Sequence, residues 1–175
     1  MTKDSKEFAF YSMITLILMV ILLWFWVFPA YPMAKEYESS LTNELNWFIL
    51  RAPPYIWGAS RDTAVDCSGY LYRSCARAGI PVLRTTAYQM ALGGGAWLGR
   101  DIELDDAGNV DLVWWSFNPM RKHGHVGAFL VGTKSGLLQV THASPSRRAV
   151  VLDVMKGKLI TDISKVRRLT IGDPK

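Results

Sequence analysis

The sequence is poor in the residue types that hold metals and disulfide frameworks. Only two cysteines and three histidines occur among its 175 residues. It contains neither an H-E-x-x-H nor a C-x-x-C spacing, which are the usual ligand patterns of zinc hydrolases and zinc ribbons. Zinc held by the histidines stays a minor alternative, and the sequence predicts no metal and no cofactor.

Internal repeats, low-complexity runs and nucleic-acid-binding motifs are also missing. The net charge of +5 favours an acidic partner such as peptidoglycan, anionic lipid or nucleic acid. The basic clusters Arg147-Arg148 and Arg167-Arg168 are short, and a solvated basic face explains them equally well. The sequence therefore predicts no nucleic-acid partner, and it says nothing about protein partners.

One long apolar run lies near the N-terminus. Residues 8–30 contain no charged side chain, and as a helix they would be about 34 Å long at ~1.5 Å per residue. That length crosses a hydrocarbon core of about 30 Å. Tyrosine and tryptophan lie near its ends, and Pro29 and Pro32 close it. The run predicts a single transmembrane helix.

A cleaved signal peptide is the alternative interpretation of this run. Its apolar part should be shorter and be followed by a small-x-small site, whereas Phe28 and Pro32 occupy the positions that small residues would need. Lys3 and Lys6 precede the run and only Lys35 follows it closely, which orients the N-terminus towards the cytoplasm. We therefore expect a single-pass membrane protein whose C-terminal part lies on the extracytoplasmic side.

The predicted domains follow from that anchor. They are a cytoplasmic tail at 1–7, the transmembrane helix at 8–30, a linker at 31–40 and one folded domain at 41–175. The size of the last part suits a single domain.

Helices precede strands in the C-terminal part. Apolar spacing predicts helices at 35–52, 67–78 and 84–92, the second capped by Asp66 and carrying a buried stripe of Leu71, Cys75 and Ala78. Short β-rich runs separated by turn residues follow, and this order is typical of an α+β domain with an antiparallel sheet. The predicted strands are 111–117, 125–131, 137–143, 149–154 and 166–171.

The two cysteines differ in their predicted surroundings. They are about 12 Å apart along one helix, too far for a disulfide. Cys67 directly follows the N-cap, where the helix terminus lowers a thiol pKa and free amides could hold an oxyanion. We predict that Cys67 is a nucleophile, although a small buried residue is the commonest fate of a free cysteine. Cys75 lies inside the apolar stripe and is predicted to be structural.

Two histidines are candidates for the partners of Cys67. His125 and His142 each lie on a predicted strand, and neighbouring antiparallel strands bring such residues side by side. One imidazole can then act as base while the other orients it. Gly127 would allow close approach of a backbone or substrate beside His125. His123 lies in a turn and is predicted to be an exposed loop residue.

Several segments in order resemble one family. The chain is similar to the NlpC-type family of papain-like bacterial cell-wall cysteine peptidases over about residues 50–155. The resemblance rests on the following segments: Pro54-Tyr55-Ile56-Trp57-Gly58, Asp66-Cys67-Ser68-Gly69, Arg84-Thr85-Thr86, Asn109-Val110-Asp111-Leu112-Val113-Trp114-Trp115, His125-Val126-Gly127 and Thr141-His142-Ala143-Ser144.

The resemblance implies a fold and an activity. It implies a papain-like core, with helices packed on a small antiparallel sheet, that cuts peptide bonds of peptidoglycan stems, commonly between D-glutamate and the adjacent diamino acid. The carried-over roles are nucleophile for Cys67, general base for His125 and orienting residue for His142. Tyr55 would lie near the thiol, Asp66 would cap the helix and Ser68 would contact the substrate.

Two departures from the family pattern concern the substrate. Ala59 stands where the family has a second glycine, and Val110 precedes Asp111 where the family has a glycine. An amidase or an acyltransferase of the same fold, acting on another envelope or lipid substrate, is therefore an alternative function. A non-catalytic envelope-binding protein is a third interpretation, against which stands the presence of the cysteine and both histidines.

Overall fold

The computed structural model describes Met19 and residues 35–97, 99–118, 120, 122–131 and 138–170. The chain divides into two compact units, 1–31 and 32–175. Apart from Met19, the predicted transmembrane helix at 8–30 lies outside the described residues, as does the predicted tail at 1–7. Within the described part of the chain, no helix is both long and apolar enough to cross a bilayer.

Four α-helices surround the sheet in the described residues. They are α1 (Lys35–Arg51), α2 (Cys67–Arg77), α3 (Ala87–Ala91) and α4 (Lys158–Thr161). Two single 3₁₀ turns lie at Gly94–Ala96 and Leu104–Asp106. The first three α-helices lie within their predicted ranges, α3 being shorter. Residues 35–40, part of the predicted linker, are the start of α1.

The strands form one antiparallel sheet and one small hairpin. The hairpin joins β1 (Ser60–Arg61) to β2 (Ala64–Val65). The sheet has the order β3-β8-β4-β5-β6-β7. Its strands are β3 (Gly99–Asp101), β4 (Leu112–Trp115), β5 (His125–Val131), β6 (Leu138–Ser144), β7 (Ala149–Val154) and β8 (Ile163–Leu169). The predicted α+β class with a small antiparallel sheet is confirmed.

The short strands β1, β2 and β3 were not predicted from the sequence, and β8 begins three residues before its predicted start. Strands of two or three residues are too short to show an alternating pattern. The bounds of β8 are set by its two neighbours, because it pairs with β3 on one side and β4 on the other.

Helix α1 presents one apolar face to the core. Leu41, Leu45 and Phe48 are at most 1% exposed, as their 3- and 4-residue spacing predicts. The Phe48 ring meets Tyr70 of α2 edge to face, with centroids 5.4 Å apart. This contact packs α1 against α2 within the core cluster that both helices share with the sheet.

Helix α2 begins where the sequence predicts because Asp66 caps it. The Asp66 side chain accepts a hydrogen bond from Gly69 N at 2.5 Å, with Asp66 itself in an extended conformation. A Cβ at position 69 would lie 2.1 Å from the Ala59 carbonyl oxygen, so this turn requires glycine. The predicted stripe of Leu71, Cys75 and Ala78 is buried.

The sheet separates two apolar clusters. One face packs on α1 and α2 and includes Leu112, Trp114 and Val126. The other face carries residues of the opposite strand parity, among them Val113, Trp115 and Phe129, and Leu159 of α4 packs against it. Strand β5 therefore separates the helix that bears Cys67 from the aromatic cluster below the sheet.

Candidate active site

The Cys67 thiol lies in the first turn of α2, next to the start of β5. The side chain is 6% exposed, and the backbone N–H groups of Val126 and Ser68 approach its sulfur. Val126 directly follows His125 in β5. The structure therefore brings the helix terminus and this strand end together, as the family resemblance implies.

The two strand histidines are in direct contact. Strands β5 and β6 are antiparallel neighbours, and His125 Nε2 lies 2.8 Å from His142 Nδ1. The rings meet edge to face, with centroids 4.9 Å apart and an interplanar angle of 89°. This hydrogen bond occupies Nε2 of His125, so Nδ1 is the ring nitrogen left to exchange a proton with a thiol.

An aromatic layer covers the histidine rings. Trp115 lies 5.6 Å from His125 and 5.7 Å from His142, measured between ring centroids, and Phe117 lies 5.8 Å from His125. The Trp115 indole donates to Leu159 O at 2.7 Å, which fixes its orientation. Gly127 admits this layer, because a Cβ there would lie 2.7 Å from Thr141 O and 3.1 Å from the Trp115 ring.

A carboxylate extends the histidine pair. His142 Nε2 lies 3.1 Å from Asp153 Oδ2, and Arg147 lies 2.6 Å from Asp153 Oδ1. Sequence reasoning missed Asp153, because its position beside His142 depends on the register of β6 and β7. Asp153 is opposite Val140 in the β6–β7 register, and Val140 is two residues from His142, so all three share one face of the sheet.

Burial sets the protonation of the thiol and its base. It raises the pKa of Cys67 to about 11, with the Asp66 charge adding to the effect and the nearby amides and Arg84 opposing it. Burial and the neighbouring His142 lower the pKa of His125 to about 3. The expectation that the helix terminus lowers the pKa of the Cys67 thiol is therefore wrong for this structure, because desolvation outweighs the helix terminus.

Burial also shifts the pKa values of His142 and Tyr55. Burial lowers the pKa of His142, while its hydrogen bond to Asp153 and the charge of that carboxylate raise it. Burial raises the pKa of Tyr55 to about 12, and the charges of Cys67 and Asp66 add to this effect. Tyr55 therefore lies within electrostatic range of the thiol, and it also packs against the core around α1 and α2.

A polar network joins the start of α2 to the following loop. Asp66 accepts hydrogen bonds from Gly58 N at 2.9 Å and Ser68 Oγ at 3.1 Å. Arg84 binds Asp66 Oδ2 at 2.7 Å and Ser68 Oγ at 2.7 Å, and it also contacts Thr85 O. Asp66 is the predicted cap. Ser68 is 4% exposed, and its hydroxyl is engaged inside this network.

Arg84 is a site residue that pattern reasoning did not single out. It occurs in one of the segments that carry the family resemblance, but no local spacing indicates that it returns to α2. Its guanidinium holds the cap residue and the first helical turn from outside the helix. A long-range ion pair of this kind has no sequence period by which it could be recognised.

A cleft opens beside Cys67. It has a volume of about 630 Å³, and its lining is mostly apolar. The residues that line it are Trp57, Gly58, Asp66, Cys67, Ser68, Arg84, Thr86, Ala87, Tyr88, Met120, Lys122 and Gly124. A peptide-sized ligand could reach the sulfur through this opening.

His123 differs from its prediction. It lies in a turn with φ +51°, as expected, but the ring is partly buried rather than exposed. Nδ1 lies 2.8 Å from Ser164 Oγ, and the ring stacks on Tyr88 with centroids 6.5 Å apart. Among the described residues, no group of three or more His, Cys, Asp or Glu side chains could hold a metal ion.

Val110, which stands where the family pattern has a glycine, has an unusual backbone conformation. Val110 has φ +58°, a left-handed conformation that glycine adopts without cost and a β-branched residue adopts only under strain. The side chain is 3% exposed, so burial in the core offsets part of that strain. The glycine that the family has at this position is therefore a conformational preference and not a catalytic need.

Comparison with known proteins identifies the family of this chain. The model of the NlpC/P60 family matches residues 52–168. No curated protein matches the chain in sequence.

Solved structures share the fold at low sequence identity. NlpC2 from Trichomonas vaginalis is 21% identical with a TM-score of 0.60, over 79% of this chain and 48% of its own. An NLP/P60-family lipoprotein-like protein from Staphylococcus aureus is 20% identical with a TM-score of 0.61, over 81% and 44%. The peptidoglycan hydrolase RipB from Mycobacterium tuberculosis is 21% identical with a TM-score of 0.58, over 78% and 66%. The chain thus spans about half the length of the first two structures.

Proposed function

Because the chain belongs to the NlpC/P60 family of cysteine peptidases, we propose that it hydrolyses peptide bonds in peptidoglycan stem peptides. One observation carries the proposal: the thiol at the start of α2 lies beside β5, whose first residue, His125, is hydrogen-bonded to His142. The cleft of about 630 Å³ leads to that thiol.

The mechanism starts from a neutral thiol and a neutral imidazole. As Cys67 Sγ attacks the amide carbonyl carbon, its proton passes to His125 Nδ1, and His142 stabilises the imidazolium that forms. His125 then protonates the leaving amine. Water, deprotonated by His125, attacks the thioester, releases the acid and restores the thiol.

The first turn of α2 supplies candidate donors for the oxyanion. The amides of Gly69 and Tyr70 donate to Asp66 at 2.5 and 2.8 Å, so they are engaged in the helix cap. The amides of Cys67 and Ser68 are then the first-turn donors available to a carbonyl oxygen beside the sulfur. They fit the oxyanion because they sit on a helix N-terminus, which favours negative charge.

Peptidoglycan as substrate is supported by the family and by charge. RipB, one of the similar structures, is a peptidoglycan hydrolase by its description, and the net charge of +5 suits an acidic wall polymer. We propose the bond between D-glutamate and the adjacent diamino acid, which the family resemblance implies. Lys122 in the cleft lining is a cation that could meet the carboxylates of such a stem.

The proposed location of the enzyme is the inner membrane. The uncharged run at 8–30 is long enough for a membrane anchor, and it would hold the catalytic domain on the periplasmic side of the inner membrane. An anchor would keep the enzyme close to the wall without a wall-binding repeat.

A lipid-linked or acyl substrate is the second candidate, and exposed apolar side chains around the cleft favour it. Met120 is 91% exposed, Trp57 77% and Tyr88 51%, and all three line the cleft. Large exposed apolar groups at one opening commonly mark a contact surface. An amidase or acyltransferase of the same fold would use Cys67 and His125 in the same roles.

Digestion of purified muropeptides by the full chain tests the proposal, with products read by mass spectrometry. Wild type should release new peptide fragments whose masses identify the scissile bond, and Cys67→Ala should release none. Cys75→Ala is the matched control, because it removes the other buried thiol of the same helix, and it should retain cleavage. Cleavage by Cys67→Ala, or none by wild type on several wall types, would overturn the proposal; acyl transfer to lipid would favour the second candidate.

A further inference from the structure

A carboxylate stands behind the two histidines with both of its oxygens engaged. Asp153 Oδ2 lies 3.1 Å from His142 Nε2, and Oδ1 lies 2.6 Å from an Arg147 guanidinium nitrogen. The Asp153 side chain is 14% exposed, whereas Arg147 is 58% exposed. An ionised carboxylate only accepts hydrogen bonds. In its hydrogen bond with His142, Asp153 is therefore the acceptor and the imidazole is the donor.

That direction fixes the protons on both rings. Since Asp153 can only accept, His142 must carry its proton on Nε2, and a neutral ring then has an unprotonated Nδ1. His142 Nδ1 lies 2.8 Å from His125 Nε2, so the proton in that bond must belong to His125. A neutral His125 with its proton on Nε2 carries its lone pair on Nδ1. This is the nitrogen left for the Cys67 thiol.

We propose that Asp153 is a positioning residue that selects the tautomer of His142 and, through it, the tautomer in which His125 can act as a base. The effect on turnover rests on the proposed hydrolase function, whereas the assignment of tautomers does not. A hydrogen-bond donor at position 153 in place of this acceptor would move the proton of His142 from Nε2 to Nδ1. The proton of His125 would then also move from Nε2 to Nδ1. His125 would then present an N–H instead of a lone pair to the thiol.

The alternative is that Asp153 and Arg147 form an ordinary surface ion pair. Exposed pairs contribute little to stability and impose no proton direction. Two observations separate Asp153 from such a pair. It shares one face of the sheet with His142, as the register shows, and its Oδ2 is directed at the histidine while only Oδ1 meets the arginine.

Nitrogen-15 NMR of the histidine rings in the wild-type full chain tests the tautomers directly. At neutral to mildly alkaline pH, we expect protonated Nε2 and unprotonated Nδ1 on both His125 and His142. His123→Gln removes the third histidine from the spectrum. A proton on His142 Nδ1 would overturn the inference. This measurement needs no variant of Asp153, so it stands even if such variants fold poorly.

Substitution tests whether the carboxylate acts through His142. Asp153→Asn can offer an amide N–H to His142, and we expect it to lower kcat roughly 10- to 100-fold while KM changes by less than about threefold. Asp153→Glu should recover part of the loss. Asp62→Asn is the matched control, because Asp62 pairs with Arg73 and Arg77 away from the histidines, and it should stay within about twofold of wild type.

A double variant separates positioning from general stabilisation. If Asp153 acts only through His142, then Asp153→Asn should add little further loss in a His142→Ala background. Losses that multiply across the two sites would overturn the inference, as would a wild-type kcat in Asp153→Asn.

The rate of Cys67 alkylation by iodoacetamide gives the same comparison without any substrate. It should fall in Asp153→Asn and recover in Asp153→Glu. A wild-type chain that cleaves no muropeptide, yet shows the expected tautomers and this alkylation pattern, would remove the proposed function and retain the positioning role. An alkylation rate that is unchanged in Asp153→Asn would count against the role of Asp153 itself.

Discussion

The two cysteines of α2 are a natural comparison because they share one helix and differ in almost nothing local. Both are buried, at 6% and 1% exposure, and burial raises both thiol pKa values, to about 11 for Cys67 and about 12 for Cys75. The difference lies in the surroundings. Cys67 borders a cleft, meets backbone amides and lies beside the start of β5, whereas Cys75 lies inside the apolar core.

The comparison shows that burial alone does not decide what a thiol does. A desolvated thiol is a poor nucleophile unless a proton acceptor stands next to it and a substrate can reach it. The first turn of α2 borders the cleft and lies beside the strand that carries the proposed base, whereas the middle of the helix has neither neighbour.

Removing the proton acceptor should make Cys67 resemble Cys75. We expect His125→Ala to lower kcat by roughly 10³-fold or more, since general base catalysis contributes about 10²- to 10⁴-fold. His142→Ala should lose less, because it acts on His125 and not on the thiol. Steady-state kinetics on muropeptides with all three chains checks this. A larger loss in His142→Ala would mean that the two roles are exchanged.

The native chain should show the same contrast between its thiols. We expect iodoacetamide to modify Cys67 at least about 100-fold faster than Cys75, because only the former is open to the cleft and has a base nearby. Peptide mass mapping after timed alkylation measures both rates in one sample. Equal rates in the folded chain would mean that the cleft does not distinguish the two positions. In denaturant the rates should converge.

A hydroxyl should be tolerated unequally at the two positions. Cys75→Ser places a polar group among fully buried apolar neighbours, and we expect it to lower the free energy of unfolding by about 1–3 kcal/mol. Cys67→Ser should lose less than about 1 kcal/mol, because the amides of Ser68 and Val126 can donate to the new oxygen. Urea unfolding of both variants tests the ranking, which the reverse order would refute.

Acid should destabilise the fold through the base itself. The pKa of His125 is about 3 in the folded chain, against an ordinary value of 6.5, so below pH 6.5 the unfolded chain binds a proton that the folded chain refuses. Its contribution to stability is therefore full above pH 6.5 and is lost as pH falls towards 3. At pH 5.5 the loss should be about 1.4 kcal/mol.

His125→Gln is the control for that pH dependence, because glutamine does not titrate. The free energy of unfolding, measured at pH 7.5 and 5.5, should fall less in this variant than in wild type. The pKa of His142 is also lowered, so some acid sensitivity should remain. An identical fall in the two chains would show that His125 is not buried as a neutral ring.

Sequence reasoning succeeded where the signal is local or periodic. Asp66 was predicted as the helix cap from its place before an apolar run, and the cap hydrogen bond is present at 2.5 Å. His125 and His142 were paired because their strands were expected to be neighbours, and they are.

Sequence reasoning failed where the strand register or the burial of a group determines its contacts or its pKa. Asp153 depends on how β7 pairs with β6, and Arg84 depends on a loop that returns to α2; neither has a sequence period. The expected lowering of the Cys67 pKa neglected desolvation, which appears only once the core is assembled around the thiol. His123 was placed in its turn correctly, but its contact with Ser164 of β8 joins residues 41 positions apart.

The order of the sheet has a consequence for when the thiol can become reactive. Cys67 comes from α2, His125 from β5, His142 from β6 and Asp153 from β7, so these groups meet only after three successive strands have docked. A nascent chain that has emerged as far as α2 carries the thiol without its base. The proposed base and the residues that orient it therefore reach the thiol only when the domain is nearly complete.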